Sequence, residues 1–268
     1  MMFGKSMLAA LTLGACAAVG AGELFTLNEP EAWRSTRDFV KTDEDALRIS
    51  RAAFLHSRQN FQVNPKKRYK LTMKVRRAPG SPPSHFYAVF LPATDEGATI
   101  RMNQVTAIAK SQGTLVAEVK KGFTTLQIKP ENPRYWSAGS GRVVCFNAAD
   151  DMSDLPNTAL SDGIAKVEIK DGIAEVTLRR PMRFDVPAGT KVRIHAGGAY
   201  IYVIQAAPAP ENWTEYSGVV SGIEPGWSNK HFPVGTASAS VSIMPNWNVP
   251  AGTATQVEIK DVKVEELD

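Results

Sequence analysis

The chain has 268 residues, a formal net charge of +4 and two cysteines. Basic residues are scattered rather than gathered in a stripe with aromatic residues, and this excludes nucleic acid as an expected partner. Since Cys16 lies in the N-terminal leader, Cys145 has no disulfide partner in the rest of the chain, and its apolar neighbours predict a buried, unreactive thiol.

Residues 1–21 have the features of a secretory signal peptide. Lys5 provides the positive charge, an apolar stretch follows, and residues 19–21 are small, as at a cleavage site. The stretch is too short to span a bilayer, and no transmembrane segment is predicted. A second interpretation is a bacterial lipobox at residues 13–16, with a lipid anchor on Cys16. We therefore expect a secreted, periplasmic or cell-envelope protein, with an outer-membrane lipoprotein as the alternative.

Alternating apolar and polar residues, the pattern of a strand with one buried face, recur through the rest of the chain. The predicted strands are residues 46–52, 68–76, 85–91, 114–120, 123–129, 142–147, 191–196, 199–205, 214–220 and 236–244. Residues 29–38 are the one segment for which a short helix is predicted. Near the C-terminus the alternation changes parity, which predicts a β-bulge at Lys260 and Asp261.

A nine-residue repeat predicts a β-hairpin closed by a type I′ turn at Asp171 and Gly172. Its two copies are residues 162–170 and 171–179. In that register the facing pairs are Ile169 with Ala174, Val167 with Val176, Ala165 with Leu178, and Glu168 with Glu175. Lys166 and Lys170 would offset the repulsion between the two glutamates.

Three related turns, residues 186–190, 233–236 and 249–253, place Pro and then Gly just before an alternating run. Turns of this kind between alternating runs are typical of a β-sandwich, so we predict an all-β chain. No long linker divides residues 22–268, which are predicted to form one domain after the signal peptide.

Segments near both ends of this region carry a further resemblance. They are residues 61–75, which contain a turn and then Tyr69, Leu71 and Val75, residues 213–218, and residues 257–264. These segments resemble the jelly-roll carbohydrate-binding modules, the galactose-binding-like β-sandwiches of bacterial secreted proteins. The resemblance implies a jelly-roll β-sandwich of two antiparallel sheets, in which residues 95–185 are an enlarged central insertion that contains the hairpin.

The resemblance also implies one structural calcium ion near the paired terminal strands. Asp261 matches the acidic residue of the family, and Asp43 or Glu44 could approach it, because oxygen ligands from separate strands suit a hard cation. The alternative is a solvated aspartate at a bulge that binds no metal.

Aromatic residues in predicted loops are candidate platforms for sugar rings. They are Tyr135, Trp136, Trp227 and Trp247. The alternative for each tryptophan is a loop anchor over the edge of the sandwich, and Trp33 and Trp213 are expected in the core.

A second candidate cluster lies on two neighbouring predicted strands. Arg193 and His195 share the face opposite Val192, and the glycines at 197 and 198 would let the next strand return with Tyr200 and Tyr202 alongside. These four side chains would form a polar and aromatic floor for an oligosaccharide. The alternative is an ordinary ladder of surface residues.

Motifs of known enzyme classes are missing from the sequence. Its four histidines are far apart, and it contains no Cys-x-x-Cys pair, nucleophile elbow or phosphate-binding loop. Together with the resemblance and the candidate aromatic platforms, this makes non-catalytic binding of a glycan or polysaccharide the first hypothesis. The alternatives are a polysaccharide lyase or glycoside hydrolase that uses His195, Arg193 and a tyrosine, and a structural or adhesive surface protein.

Overall fold

The computed structural model describes residues 22–268 except residues 36, 38, 52, 53, 199, 248, 251 and 252. The predictions for the leader, including cleavage or lipidation at Cys16, lie outside the described residues.

β-Strands form most of the regular structure, in agreement with the predicted all-β class. The strands are β1 (Gly22–Thr26), β2 (Phe39–Lys41), β3 (Leu47–Ile49), β4 (Leu55–Gln62), β5 (Arg68–Arg77), β6 (His85–Ala93), β7 (Gly113–Leu115), β8 (Thr125–Pro130), β9 (Val143–Phe146), β10 (Leu160–Lys170), β11 (Ile173–Leu178), β12 (Lys191–His195), β13 (Ile201–Pro208), β14 (Thr214–Glu224), β15 (His231–Pro233), β16 (Ser238–Trp247) and β17 (Val257–Leu267). A single turn of α-helix, α1 (Met102–Val105), follows β6.

Two sheets pack face to face as a sandwich. The first has the strand order β15-β14-β5-β17-β3-β2, with β1 paired to the far half of β17, and the second has the order β13-β6-β16-β4. All pairs are antiparallel except β14 with β15, which is parallel. The alternating residues of each sheet meet in one core, to which β5 contributes Leu71, β6 contributes Phe90 and β16 contributes Val241.

The central part of the chain closes into a six-stranded barrel with the order β10-β11-β8-β7-β12-β9. Its core is separate from that of the sandwich and contains Ile128, Phe146, Val176 and Ile194. The barrel lies between β6 and β13, where the sequence predicted a central insertion at residues 95–185. The prediction included the hairpin but neither the closure of the barrel nor the participation of β12.

The predicted hairpin is the β10–β11 pair. Asp171 and Gly172 have φ angles of 49° and 76°, as a type I′ turn requires. Three predicted facing pairs are present, Ile169 with Ala174, Val167 with Val176 and Glu168 with Glu175, but Leu178 faces Ile164 rather than Ala165. A shift of register between residues 164 and 166 brings the larger Ile164 into the barrel core and leaves Ala165 exposed.

Other local features differ from the sequence predictions. The predicted helix at residues 29–38 is wrong, because the segment begins with a 3-10 turn at Pro30–Ala32 and the chain then leaves it as Trp33 enters the sandwich core. β4 was not predicted because its buried face includes Ser57, whose hydroxyl accepts a hydrogen bond from the Val241 amide. The bulge in β17 is present, with Asp261 at a φ of 53°.

No helix among the described residues is both long and apolar enough to cross a bilayer.

Candidate ligand-binding cleft

A cleft of about 940 Å³ lies between the outer face of the four-stranded sheet and the barrel. Residues of β6 alternate between the two faces of the sheet. Phe86, Ala88 and Phe90 enter the sandwich core, so Tyr87 points to the opposite face and lines the cleft. On β16, a register shift between residues 244 and 247 allows both Met244 and Trp247 to line the cleft. The sandwich therefore supplies one side of the cleft, and strands β9 and β10 of the barrel contribute to the other.

Five aromatic side chains form a continuous surface in the cleft, which we call the aromatic floor: Phe54, Tyr87, Tyr200, Tyr202 and Trp247. The rings of Phe54 and Tyr200 are 5.5 Å apart between centroids, and those of Tyr87 and Tyr202 are 5.3 Å apart. The ring of Trp247 meets Phe54 at 5.7 Å and Tyr87 at 5.9 Å, in both cases edge-on. These contacts hold the rings in place while part of each remains accessible.

Trp227 lies at the edge of this floor, in the connection between β14 and β15. Its half-buried ring packs against the sandwich core and also lines the cleft. Asn229 in the same connection accepts a hydrogen bond from the backbone amide of Tyr202 at 3.0 Å. This bond fixes the connection to the floor. Trp227 therefore anchors its loop on the sandwich, and its role as a platform for a ligand stays a prediction.

The side of the cleft opposite the aromatic floor carries polar and charged groups. Arg101, Asn103 and Gln104 come from the segment around α1, Asp162 from β10 and Arg183 from the connection between β11 and β12. Both arginines are exposed. The cleft thus has an aromatic side provided by the sandwich and a hydrogen-bonding side provided mainly by the barrel and its connections.

Tyr135 and Trp136 do not belong to this cleft. Trp136 is only 3% exposed and packs in the barrel core, so it is not a surface platform for a ligand. Its 3-10 turn, Pro133–Tyr135, directs the indole inward, while half-buried Tyr135 lies beneath the ammonium of Lys110 at 6.0 Å. The local sequence predicted a flexible loop and gave no sign that the barrel would enclose this ring.

Arg193 and His195 are also buried, at 1% and 0% exposure, and do not form the predicted open floor with Tyr200 and Tyr202. They lie on the face of β12 opposite Val192 and Ile194, as the alternation predicted, but α1 and the residue 149–154 segment cover that face. Arg193 donates from Nε to Nε2 of His195 at 2.8 Å. Because Nε2 accepts, the proton of the neutral ring lies on Nδ1, which donates to the carbonyl oxygen of Asn103 at 2.7 Å.

The guanidinium of Arg193 completes the network on its other side. It donates to the Asp154 carboxylate at 2.5 Å and to the Ala149 carbonyl oxygen at 2.9 Å. Burial alone would raise the pKa of Asp154, but hydrogen bonds from Asn157 and Arg193 outweigh it and lower that pKa. The network therefore holds one buried ion pair together with one neutral imidazole.

Burial lowers the pKa of His195 to about 4, and the positive charge of Arg193 acts in the same direction. Burial also raises the pKa of the nearby Cys145 thiol to about 12. Neither group is charged near neutral pH, and both side chains are fully enclosed. The arrangement stabilises the junction of β12, α1 and the residue 149–154 segment and presents no reactive group to the cleft.

The residues predicted to bind calcium are on the outer side of the seven-stranded sheet. Asp261 pairs with Lys74 at 2.9 Å, whereas Glu44 accepts from Arg76 at 2.8 Å and from the Trp213 indole at 3.0 Å. Asp43 is an exposed neighbour. Among the described residues no group of three or more His, Cys, Asp or Glu side chains is placed to hold a metal. Lys74 and Arg76, the cationic partners of Asp261 and Glu44, do not favour calcium there. Calcium binding stays a prediction.

Trp213, which was expected in the core, lies on the same outer side. Its ring is between the Arg76 guanidinium at 4.5 Å and the Lys260 ammonium at 4.3 Å. Trp33, by contrast, is completely buried as predicted, and its indole donates to the carbonyl oxygen of Leu27.

Several residues of the cleft were missed at the level of sequence. Tyr87 could have been found, because it alternates with the buried Phe86 and Ala88 on a predicted strand. Phe54, Arg101 and Arg183 lie in connections whose local sequence carries no comparable signal. His56, on β4, lines the cleft beside Phe54, and burial followed by the charge of Arg34 lowers its pKa.

Comparison of the chain with protein-family models, with curated proteins and with solved structures gave no match.

Proposed function

We propose that this chain is a non-catalytic glycan-binding protein and that an oligosaccharide segment binds in the cleft. The observation that carries the proposal is the aromatic floor, whose rings are held together on one sheet face. Sugar rings have an apolar face that packs on aromatic rings and hydroxyl groups that need polar partners. The opposite side of the cleft supplies such partners in Asn103, Gln104 and Arg101.

The size of the cleft agrees with this function. Its volume of about 940 Å³ is at the upper end of the range for small-molecule sites, and it is open to solvent rather than enclosed. An open cleft can accept an internal segment of a long chain. In this proposal the protein acts outside the cytoplasm, which rests on the signal-like residues 1–21.

We also infer that the sandwich is a jelly roll, and the strand order supports this inference. β3, β4, β5 and β6 alternate between the two sheets along the chain, and so do β13, β14, β16 and β17. Each sheet interleaves the two sets, in the orders β14-β5-β17-β3 and β13-β6-β16-β4. Two interlocked sets of four strands are the arrangement of an eight-stranded jelly roll. An experimental structure with the same strand order would confirm it.

The binding experiment uses two tryptophans on opposite sides of the sandwich. Trp247→Ala removes part of the aromatic floor, whereas Trp213→Ala removes an equally large ring that lies outside the cleft. The first step is an array of neutral and acidic oligosaccharides, followed by calorimetric titration of the best ligand. We expect Trp247→Ala to weaken binding about tenfold, the usual worth of one aromatic contact, and Trp213→Ala to leave it within twofold.

Two results would contradict the proposal. One is an array on which no glycan binds, combined with adhesion of the protein to cells or to itself, as expected of a structural or adhesive protein. The other is equal loss of binding in both tryptophan variants, which would place the ligand elsewhere. A parallel titration after chelation tests calcium: unchanged affinity and melting temperature would count against the predicted ion.

The geometry does not favour the enzyme alternative in the form that the sequence suggested. His195 and Arg193 are enclosed, and a histidine whose pKa is about 4 is a weak base at neutral pH. Release of unsaturated or reducing ends from a bound polysaccharide by the wild-type protein would nevertheless establish catalysis.

A further inference from the structure

The side of the cleft that faces the aromatic floor has an excess of positive charge. Among the described residues that line the cleft, Arg101 and Arg183 are permanent cations, and Asp162 supplies the carboxylate. His56 adds no charge near neutral pH, because burial lowers its pKa. The whole chain has a formal charge of only +4, so this excess is local rather than a reflection of a strongly basic protein.

Asp162 does not neutralise these arginines. Its Oδ2 atom lies 3.9 Å from Arg183 and also 3.9 Å from Arg180, so one negative charge is shared between two cations. Its Oδ1 atom accepts a hydrogen bond from the Gly163 amide. Within the described part of the chain, no carboxylate lies within ion-pair distance of Arg101. The lining of the cleft therefore has two arginines and one carboxylate, and that carboxylate is shared with Arg180, which lies outside the lining.

Within the described part of the chain, ion pairs hold the guanidinium of Arg183 weakly and that of Arg101 not at all. The side chain of Arg183 is 77% exposed, and its pairing with Asp162 is at the limit of an ion pair. Exposed pairs of this kind contribute little to stability. In Arg193, by comparison, every guanidinium nitrogen donates to a partner that is buried or partly buried. The exposed guanidinium groups of Arg101 and Arg183 can thus donate hydrogen bonds to a molecule in the cleft.

We propose that the ligand of the cleft is an acidic glycan, whose carboxylate or sulfate groups bind Arg101 and Arg183 while its sugar rings pack on the aromatic floor. The proposal rests on the function proposed above and specifies its substrate class. A guanidinium matches a planar carboxylate or a sulfate with two parallel hydrogen bonds. A local excess of one sign of charge in a cleft also concentrates ligands of the opposite sign.

The test compares acidic polymers with neutral polymers of the same backbone. The carboxylated pair is polygalacturonate and its carboxyl-reduced form, and the sulfated pair is dextran sulfate and dextran. We expect at least one acidic polymer to bind about tenfold or more tightly than its neutral counterpart, because each charge-assisted contact contributes that order of affinity. The pair that shows the difference identifies the acidic group.

Two double variants locate the effect. Arg101→Gln with Arg183→Gln removes two charges from the cleft, and Lys66→Gln with Arg134→Gln removes two exposed charges that are not in its lining. We expect the cleft variant to lose about tenfold or more in affinity for the acidic polymer and the control to change less than twofold. Melting temperatures of both variants establish that each is folded.

Asp162→Asn is expected to act in the opposite direction. It removes the negative charge near Arg180 and Arg183 but keeps an oxygen that can accept from the Gly163 amide. Affinity for the acidic polymer should rise several-fold, and affinity for its neutral counterpart should stay the same.

Failure of this inference is distinguishable from failure of the proposed function. If neutral polymers bind as tightly as acidic ones and binding still depends on Trp247, the glycan-binding function stands and the acidic ligand is wrong. If the control variant loses as much affinity as the cleft variant, the attraction is diffuse and the inference is overturned. If neither pair of polymers binds and the oligosaccharide array is blank, both proposals fail.

Discussion

The residues of the Arg193 network stabilise the folded protein and also make its stability sensitive to acid. Arg193 is enclosed, so its charge must be matched by fixed partners, which are Asp154, His195 and the Ala149 carbonyl oxygen. Removal of Asp154 would leave the buried positive charge without an anionic partner. His195 can accept from Arg193 only while Nε2 is unprotonated. A protonated Nε2 would be a donor that faces the Nε donor of Arg193.

The first residue-scale prediction concerns the pH dependence of stability. The pKa of His195 falls from 6.5 in the unfolded chain to about 4 in the folded protein, mainly because of burial. Between these values the unfolded chain binds more protons, so the free energy of unfolding decreases as pH is lowered from 6.5 to 4. The full effect is about 3 kcal/mol, measured by urea unfolding at a series of pH values.

His195→Gln is the control for this effect, because glutamine can donate to Asn103 and accept from Arg193 but does not titrate. The variant should show a flatter pH dependence between 6.5 and 4. His56, whose pKa is also lowered, contributes in the same direction and remains in both proteins. An unchanged slope in His195→Gln would assign the acid sensitivity to another group. Below this range, stability falls further, since the lowered pKa of Asp154 makes its ionised form the native one.

The burial of individual residues explains why parts of the site could be predicted from the sequence and others could not. Alternation correctly placed Arg193 and His195 on the face of β12 opposite Val192 and Ile194. It cannot tell which segment covers that face, and here the cover comes from α1, whose residue Asn103 is 92 positions away from His195. Tyr202 and Trp247 remain accessible whereas Trp136 does not, because the packing of distant strands, not the local loop, decides which ring is enclosed.

At the scale of elements, two connections meet closely at the back of the cleft. Gly141 precedes β9 and Gly197 follows β12, and both line the cleft. A Cβ atom on Gly197 would lie 2.2 Å from the carbonyl oxygen of Gly141 and 2.7 Å from its Cα. No side chain fits at that distance, so the close approach requires glycine.

We therefore expect Gly197→Ala to separate the two connections. The free energy of unfolding should fall by about 1–3 kcal/mol, the usual cost of overpacking, and glycan affinity should fall with the altered cleft. Gly163→Ala is the matched control in the same cleft, because the atoms nearest its Cβ would be those of the flexible Arg179 side chain, the first at 3.2 Å. Chemical unfolding and titration of both variants test this, and equal effects in the two would contradict it.

Elements with clean alternation were predicted well. β5 extends over Arg68–Arg77 where the pattern indicated residues 68–76, and the turn at Asp171 and Gly172 has the expected form. Closure of the barrel depends instead on pairs such as Val192 with Phe146, which local periodicity does not specify. β4 and the bulge in β10 were missed because tertiary packing overrides the local pattern there.

At the scale of the whole molecule, the sandwich and the barrel have separate hydrophobic cores. The sandwich core draws its buried residues from segments before residue 91 and after residue 200, and the barrel core draws its residues from 115–194. The cleft lies where the two parts meet. The sandwich can therefore be regarded as the scaffold of the aromatic floor, and the inserted barrel as the source of much of the opposite, charged side.

This separation predicts that the barrel can be removed without unfolding the sandwich. β6 and β13 are antiparallel neighbours, with Phe90 facing Ile201, so a short glycine-containing turn in place of residues 94–198 would join them as a hairpin. The shortened protein should unfold cooperatively on heating and keep a β-type circular dichroism spectrum, because it retains the complete sandwich core. It keeps the aromatic floor but loses Arg101 and Arg183, so weak glycan binding without preference for acidic polymers is expected. A chain that shows no cooperative transition would mean that the barrel is part of one folding unit with the sandwich, and preserved preference for acidic polymers would remove the arginines from the binding site.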